Sequence, residues 1–178
     1  MGPKIQGAKL FTKVDHQQGY NNICIKKGDE WKAAFITNQG LFKPTVIFFG
    51  LTNSPATFQT MMNVIFAEEI AEGWLIVYMD NILISTKDNI QLHEKCIHRM
   101  LKKLKKHDLY LKPEKCASEQ HKIEFLGVIL ENGTVQIDPA KFKGVADWSP
   151  PQNITDVHSF LGFTGFYHYF MPNYSLIA

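Results

Sequence analysis

An α+β fold follows from three features of the sequence. Short apolar strands bounded by turn residues fill the first three quarters of the chain. Two amphipathic helices lie between them, and after Asp138-Pro139 the pattern becomes purely helical. Residues 9–14 (KLFTKV) read as a strand ending at Asp15. Residues 31–37 (WKAAFIT) and 45–49 (TVIFF) read as two more, the second buried on both faces. Ser54-Pro55 then has the form of an N-cap followed by proline at the first helical position. Phe58, Met61, Met62, Ile65, Phe66 and Ile70 recur at helical spacing, which predicts an amphipathic helix over 55–72.

Residues 74–79 (WLIVYM) and 82–86 (ILIST) flank Asp80-Asn81 in the manner of a hairpin, with that pair as its turn. A second helix is predicted over about 89–107, with Ile97, Met100, Leu101 and Leu104 on its inner face. Strand 123–130, the turn Asn132-Gly133 and strand 134–137 predict another hairpin. A short helix over 140–148, a break at Trp148-Ser149-Pro150-Pro151 and a helix from near Thr155 complete the reading.

The 178 residues suit one mid-sized domain or one domain with a small appendage, long enough to bury a core. With 45% hydrophobic and 20% charged residues the chain is an ordinary globular mix, which argues against disorder or fibre. The net charge of +2 is low for a dedicated nucleic-acid binder. It is uneven, with eight Lys/Arg against three acids between Gln91 and Lys115. A solvated helix face explains that cluster better than a duplex-binding patch. Cys24, Cys96 and Cys116 form no C-x-x-C pair, which points to a reducing compartment and away from a disulfide frame or zinc site. No apolar run is long enough to cross a bilayer, and no signal peptide is visible. The opening Met1-Gly2-Pro3 has the form of an expression scar.

Asp15 at a strand end and Asp80 at a hairpin tip are the candidate chemistry. If their strands are neighbours, two carboxylates converge at one sheet edge and make a natural Mg²⁺ site with room for phosphates. On spacing alone the alternative stays open, because Asp-Asn is also an ordinary solvated turn pair.

The order of several motifs adds to this. Phe11-Thr12-Lys13-Val14-Asp15, followed by Gly19-Tyr20-Asn21-Asn22, resembles motif A of reverse transcriptases. The stretch from Phe49 to Gln59 (FGLTNSPATFQ) is similar to their motif B, and Tyr78-Met79-Asp80-Asn81 to motif C. Leu111-Lys112-Pro113-Glu114-Lys115-Cys116 resembles the stretch at motif D, and Phe125-Leu126-Gly127 the primer-grip motif E. Ser159-Phe160-Leu161-Gly162-Phe163 with Phe166-Tyr167 is similar to the thumb of gypsy-type LTR retrotransposons, whose polymerase is part of a Metaviridae-like pol polyprotein.

The resemblance implies a right-hand polymerase: a palm with a remnant of the fingers over 1–137 and the start of a helical thumb over 138–178. It implies an RNA-directed DNA polymerase, a nucleotidyltransferase adding dNTP to a primer 3′-hydroxyl with Mg²⁺ or Mn²⁺. Asp15 and Asp80 would hold metal, with Asn81 at the third acidic position and the His16 carbonyl joining the metal shell. Tyr20 would stack under the incoming sugar and exclude a 2′-hydroxyl, and Phe49 and Gly50 would touch nucleotide and template. Phe125, Leu126 and Gly127 would form the primer grip, and His158, Gly162 and Phe166 would meet the template–primer. For Tyr20 and Phe49 ordinary core packing remains the alternative, and for Gly162 and Gly165 close helix–helix packing does. The implied partners are an RNA or DNA template with its primer, dNTP, the fingers, connection and RNase H regions of the same polyprotein, and a second subunit if the chain dimerises. The implied setting is intracellular, in cytoplasm, virus-like particle or nucleus, without a membrane.

Asn81 stands where the family usually has Asp, so one carboxylate is replaced by a neutral amide. Gln17, Cys24, Gln39, His158 and His168 stand where a basic residue is common. The chain starts fourteen residues before Asp15, so the fingers' phosphate-binding cations are expected upstream of it. Three readings follow: an active polymerase domain, a catalytically impaired nucleic-acid-binding remnant of a degenerate element, and a structural subunit supporting an active partner.

Overall fold

The computed structural model describes residues 5–17, 19–171 and 173–177; Met1-Gly2-Pro3 lies outside them. Its centre is a four-stranded antiparallel sheet in the order β4-β5-β1-β6, built from β1 (Leu10–Asp15), β4 (Leu75–Tyr78), β5 (Asn81–Thr86) and β6 (Ala117–Gln120). Period-2 alternation splits β1 between two cores. Val14 enters a core shared with Ile82 and Ile84 of β5, and with α1 (Ser54–Ile65) and α3 (Ile90–Lys106) through Phe58, Met62, Met100 and Leu104. Phe11 and Leu83 face the other way, against Ile123, Phe125, Val128 and Leu130. Those residues belong to a three-stranded meander of β7 (Lys122–Phe125), β8 (Val128–Glu131) and β9 (Thr134–Ile137). Ile82, Leu83 and Ile84 are all fully buried, so β5 is covered on both faces. Each such side chain contributes about 1.5–3 kcal/mol through burial, which makes β5 the axis of the domain.

The helix expected over 55–72 is two helices. Its chain bends at Phe66 (φ −106°) between α1 and α2 (Ala67–Glu72). Phe66 is fully buried, and its carbonyl still accepts from Ile70 N–H at 2.9 Å, so the bend keeps the hydrogen-bond ladder going. The N-cap of α1 is Asn53 rather than Ser54, whose hydroxyl donates to the Phe48 carbonyl at 3.1 Å. On α2, Glu69 is enclosed and takes Arg99 at 2.8 Å and Lys103 at 2.7 Å from α3. Part of the basic cluster therefore ties two helices together, as a buried carboxylate requires.

Three strand expectations need correction. Residues 45–49 form no strand and are not buried on both faces; Val46 makes an isolated bridge to Cys24, and Phe49 is 79% exposed. Residues 31–37 are a 3₁₀ turn (Glu30–Ala33) followed by the short strand β2 (Phe35–Thr37), which pairs with an unexpected β3 (Gly40–Phe42). The run 123–130 is two strands separated by Leu126-Gly127, both at positive φ (51° and 78°), the signature of a type I′ hairpin turn. A leucine there costs about 1 kcal/mol, and so a Leu-Gly pair does not announce a turn as Asn132-Gly133 does (φ 49° and 74°).

Beyond β9 come α4 (Pro139–Ala146) and α5 (Ile154–Phe166), the latter capped by Asn153, whose side chain accepts from Asp156 N–H at 2.9 Å. Trp148 packs on Phe160 and Phe163 at ring distances of 5.7 and 5.4 Å. Phe170 joins the core under the meander, so the helical end is attached to the sheet domain. Among the described residues no helix is long and apolar enough to cross a membrane.

Candidate active site

The antiparallel register of β1 and β5 sets Asp15 opposite Asn81, and that of β4 and β5 sets Tyr78 opposite Asn81. Asn81 is therefore the first strand residue, not part of the turn. The two central turn residues are Met79 and Asp80, with positive φ (53°) at Met79 alone. The shift by one residue has a physical cause outside the hairpin. Gln59 on α1 accepts the Met79 N–H at 2.6 Å and donates to the Val77 carbonyl at 3.2 Å, which holds Met79 in its unusual conformation.

His16 N–H donates to the Asp80 carbonyl at 2.9 Å, so the turn is stitched to the residue after Asp15. On the other side Lys112 N–H donates to the Asp15 carbonyl at 2.9 Å, and Leu111 bridges to His16. The Asp15 side chain is 13% exposed, and its Oδ1 is buried with no hydrogen-bond partner. The Lys112 ammonium lies 3.7 Å from that oxygen, an ion-pair distance beyond a hydrogen bond. Asp80 Oδ1 accepts from the Asn81 amide at 3.2 Å. A buried, unpartnered carboxylate oxygen is costly unless a cation completes it, so the residues present fit a divalent ion. Among the described residues no group of three or more His, Cys, Asp or Glu is arranged for metal.

The His16 ring turns into the helix-side core, edge-on to Phe58 at 6.2 Å. Burial holds its pKa below the ordinary histidine value; the Tyr110 carbonyl, outside hydrogen-bond geometry to either ring nitrogen, and the charges of Asp80 and Asp15 act in the opposite direction. Tyr20 sits on a 3₁₀ turn (Gly19–Asn22) that lies directly on α1: a Cβ at Gly19 would come within 2.5 Å of the Phe58 ring. The Tyr20 ring meets Phe49 edge-on at 4.7 Å and Phe58 at 5.3 Å, and its hydroxyl donates to Met79 Sδ at 3.7 Å. Burial, and then the charge of Asp80, push its pKa up. Gly50, at φ 101°, has open space around it. Asp15, Asp80, Asn81, His16, Tyr20, Phe49 and Gly50 thus fall into one neighbourhood.

The remaining candidates form a second group. Phe125 is buried beneath the Leu126-Gly127 turn, and the Tyr167 hydroxyl lies 3.4 Å from where a Cβ on Gly127 would stand. His158, Gly162 and Phe166 are four residues apart on α5 and share one exposed face. Among the described residues nothing lies within 4 Å of a Cβ position at Gly162, so no helix among them requires that glycine, whereas Gly165 has the Tyr174 hydroxyl at 3.9 Å.

Two residues with a part in the site were not singled out from the sequence. Gln59 closed the motif B stretch with no role assigned, its signal being a polar residue between the core positions Phe58, Met61 and Met62. Lys112 lay in the motif D stretch and among eight clustered cations, with no role assigned.

Comparison with known proteins agrees with this geometry. The model of the family described as reverse transcriptase (RNA-dependent DNA polymerase) matches residues 3–130. The chain belongs to the reverse transcriptase family. The Transposon Tf2-7 polyprotein of Schizosaccharomyces pombe is 34% identical to this reverse transcriptase chain over 175 residues, as is the Tf2-3 polyprotein. Each match covers 98% of the chain and 13% of the polyprotein, so the chain spans a small part of these relatives. A foamy viral protease-reverse transcriptase in complex with ds DNA superimposes with a TM-score of 0.83 at 24% identity, over 96% of this chain and 29% of that one. The same viral protein in complex with RNA/DNA hybrid gives 0.75 at 22%, over 92% and 22%. The α+β, palm-like fold of the reverse transcriptase is thereby established.

Proposed function

We propose that this chain is the polymerase palm of a retroelement pol polyprotein, with a remnant of the fingers, over 1–137, and the start of the thumb over 138–178. In this reading Asp15 and Asp80 hold Mg²⁺ or Mn²⁺, with the His16 carbonyl beside them and Asn81 in the third acidic position. The observation that carries it is the buried Oδ1 of Asp15, which has no hydrogen-bond partner, on a strand end tied through the His16 N–H to the Asp80 turn. When bound, divalent metal lowers the pKa of a primer 3′-hydroxyl and offsets triphosphate charge. The chain's own residues position the reactants. Tyr20, braced by Phe49 and Phe58, presents its ring under the sugar of a dNTP, and Gly50 leaves room for nucleotide and template. Phe125-Leu126-Gly127 and the His158, Gly162, Phe166 face meet an RNA or DNA template–primer. The setting is intracellular.

Asn81 favours a second reading, in which the element has lost activity and the chain binds nucleic acid or supports an active subunit. Primer extension on an RNA template by the full polyprotein separates the two. Activity abolished by Asp15→Asn and by Asp80→Asn supports the polymerase reading. A parent polyprotein that shifts a template–primer in a gel but extends nothing supports the second.

A further inference from the structure

Lys112 stands at the metal-facing carboxylate, and the motifs assign it nothing. Its backbone is pinned at both ends: its N–H donates to the Asp15 carbonyl at 2.9 Å, and its own carbonyl accepts from Lys115 N–H at 3.0 Å. Pro113 follows, in a 3₁₀ turn. Only the side chain is left to move, and it is 31% exposed, so it has a path to solvent. Its ammonium lies 3.7 Å from the buried Asp15 Oδ1, close enough for charge attraction and too far to satisfy that oxygen. Lys13, one pair back along β1, is held elsewhere by the Glu124 carbonyl at 3.2 Å. The residue opposite Asp15 is the neutral Asn81, whose amide leans on Asp80.

We infer that Lys112 is an internal counterion that competes with a divalent cation for the Asp15 carboxylate and so sets the metal affinity of this site. The inference rests on the proposed metal role of Asp15. A cation that lands on Oδ1 meets the ammonium at the same atom, and like charge lowers its affinity until the lysine swings outward. The weakness of the pair makes this exchange cheap. With Asn81 supplying no charge, the lysine cancels one of the two carboxylates the ion depends on. Lys112 is a positioning residue in this account, since it acts on metal only through Asp15.

The test is Mn²⁺ titration of the 178-residue chain by electron paramagnetic resonance, with thermal melts with and without the ion. Lys112→Met should bind Mn²⁺ about fivefold tighter than the parent, the upper range for a partly exposed ion pair. Lys112→Arg should bind as the parent does, and Asp15→Asn should lose the site. Without ion Lys112→Met should melt earlier than the parent, and saturating Mn²⁺ should remove that deficit. If Lys112→Met and parent bind Mn²⁺ equally while Asp15→Asn loses binding, the counterion role is wrong and the metal site stands. If Lys112→Met melts earlier by the same margin with and without ion, it is a packing residue and the inference is overturned. If Asp15→Asn binds Mn²⁺ as the parent does, both the inference and the metal role of Asp15 are overturned.

Discussion

Gln59 Oε1 accepts the Met79 backbone N–H at 2.6 Å, which couples the first helix to the turn carrying Asp80. The same amide donates to Val77 and to Asn63, so it is used on both sides. Gln59→Ala should leave the Met79 N–H without its acceptor and cost about 1–2 kcal/mol. The melt should fall accordingly, and amide exchange at Met79 should accelerate more than at Ile84 in the centre of β5. Unchanged exchange at Met79 would show that the turn holds its shape without the helix.

Asn81→Asp separates two opposed effects. The change removes the amide's hydrogen bond to Asp80 and adds like charge beside it, so the variant should melt earlier without metal. A third carboxylate also strengthens the pull on divalent ions, so Mg²⁺ or Mn²⁺ should stabilise the variant more than the parent. Melting curves across a metal titration report both. Equal stabilisation of the two proteins would mean that position 81 does not face the ions.

Tyr20 tests the nucleotide side. In the full polyprotein Tyr20→Ala should extend primers with ribonucleotides more readily, because the ring braced by Phe49 and Phe58 is gone. Tyr20→Phe keeps the ring and loses only the contact to Met79, so its sugar discrimination should match the parent. Both are read from the ratio of dNTP to rNTP incorporation, and an unaltered ratio in Tyr20→Ala would reduce Tyr20 to a core residue.

Acid should weaken the fold through two enclosed histidines. His93 is fully buried, with Nε2 at 2.8 Å from the Thr12 hydroxyl and Nδ1 at 2.7 Å from the Thr86 hydroxyl. Burial holds its pKa below the ordinary value, against a smaller upward pull from Glu119, and His16 is shifted in the same direction. The unfolded chain takes up these protons near pH 6.5 while the folded chain resists, so the unfolded state binds more protons below that pH. Stability is therefore full above about pH 6.5 and declines as pH falls through it, by at most ~1.4 kcal/mol per unit for each histidine. Melts at pH 7.5 and 5.5 should show a smaller acid loss in His93→Gln than in the parent. An identical loss would place the sensitivity elsewhere.

The α+β class, both main helices and the strands of the central hairpin were legible because each carries a clear period of apolar residues. Residues 10–15 and 81–86 alternate or run apolar, and the basic helix shows one inner face. β6 (ASEQ) was missed because an edge strand with mostly exposed side chains has no apolar pattern to see. Residues 45–49 misled for the opposite reason. Their apolar side chains serve contacts such as Tyr20 on Phe49, and Phe49 itself is largely exposed, so the run never needed a sheet. Asp15, Asp80 and Tyr20 were singled out through motif order, while the contacts of Gln59 to the Met79 turn and of Lys112 to Asp15 join residues distant in sequence, which no spacing encodes.

The pairing of Asp15 with Asn81 also sets how the chain can change over generations. Thr12 and His16 of the first strand segment turn toward the helices, and Phe11, Lys13 and Asp15 turn away. One inserted or deleted codon between Phe11 and Asp15 would reverse the sidedness of Asp15 and His16 relative to Phe11, delivering a carboxylate to the Phe58 core and an imidazole to the open face. Two inserted codons would restore the sidedness but displace the carboxylate along the strand by about 7 Å. The segment can therefore drift by substitution but not by length. Length variation should instead accumulate in the exposed turn at residues 26–29, which precedes β2 and touches neither partner of the pair.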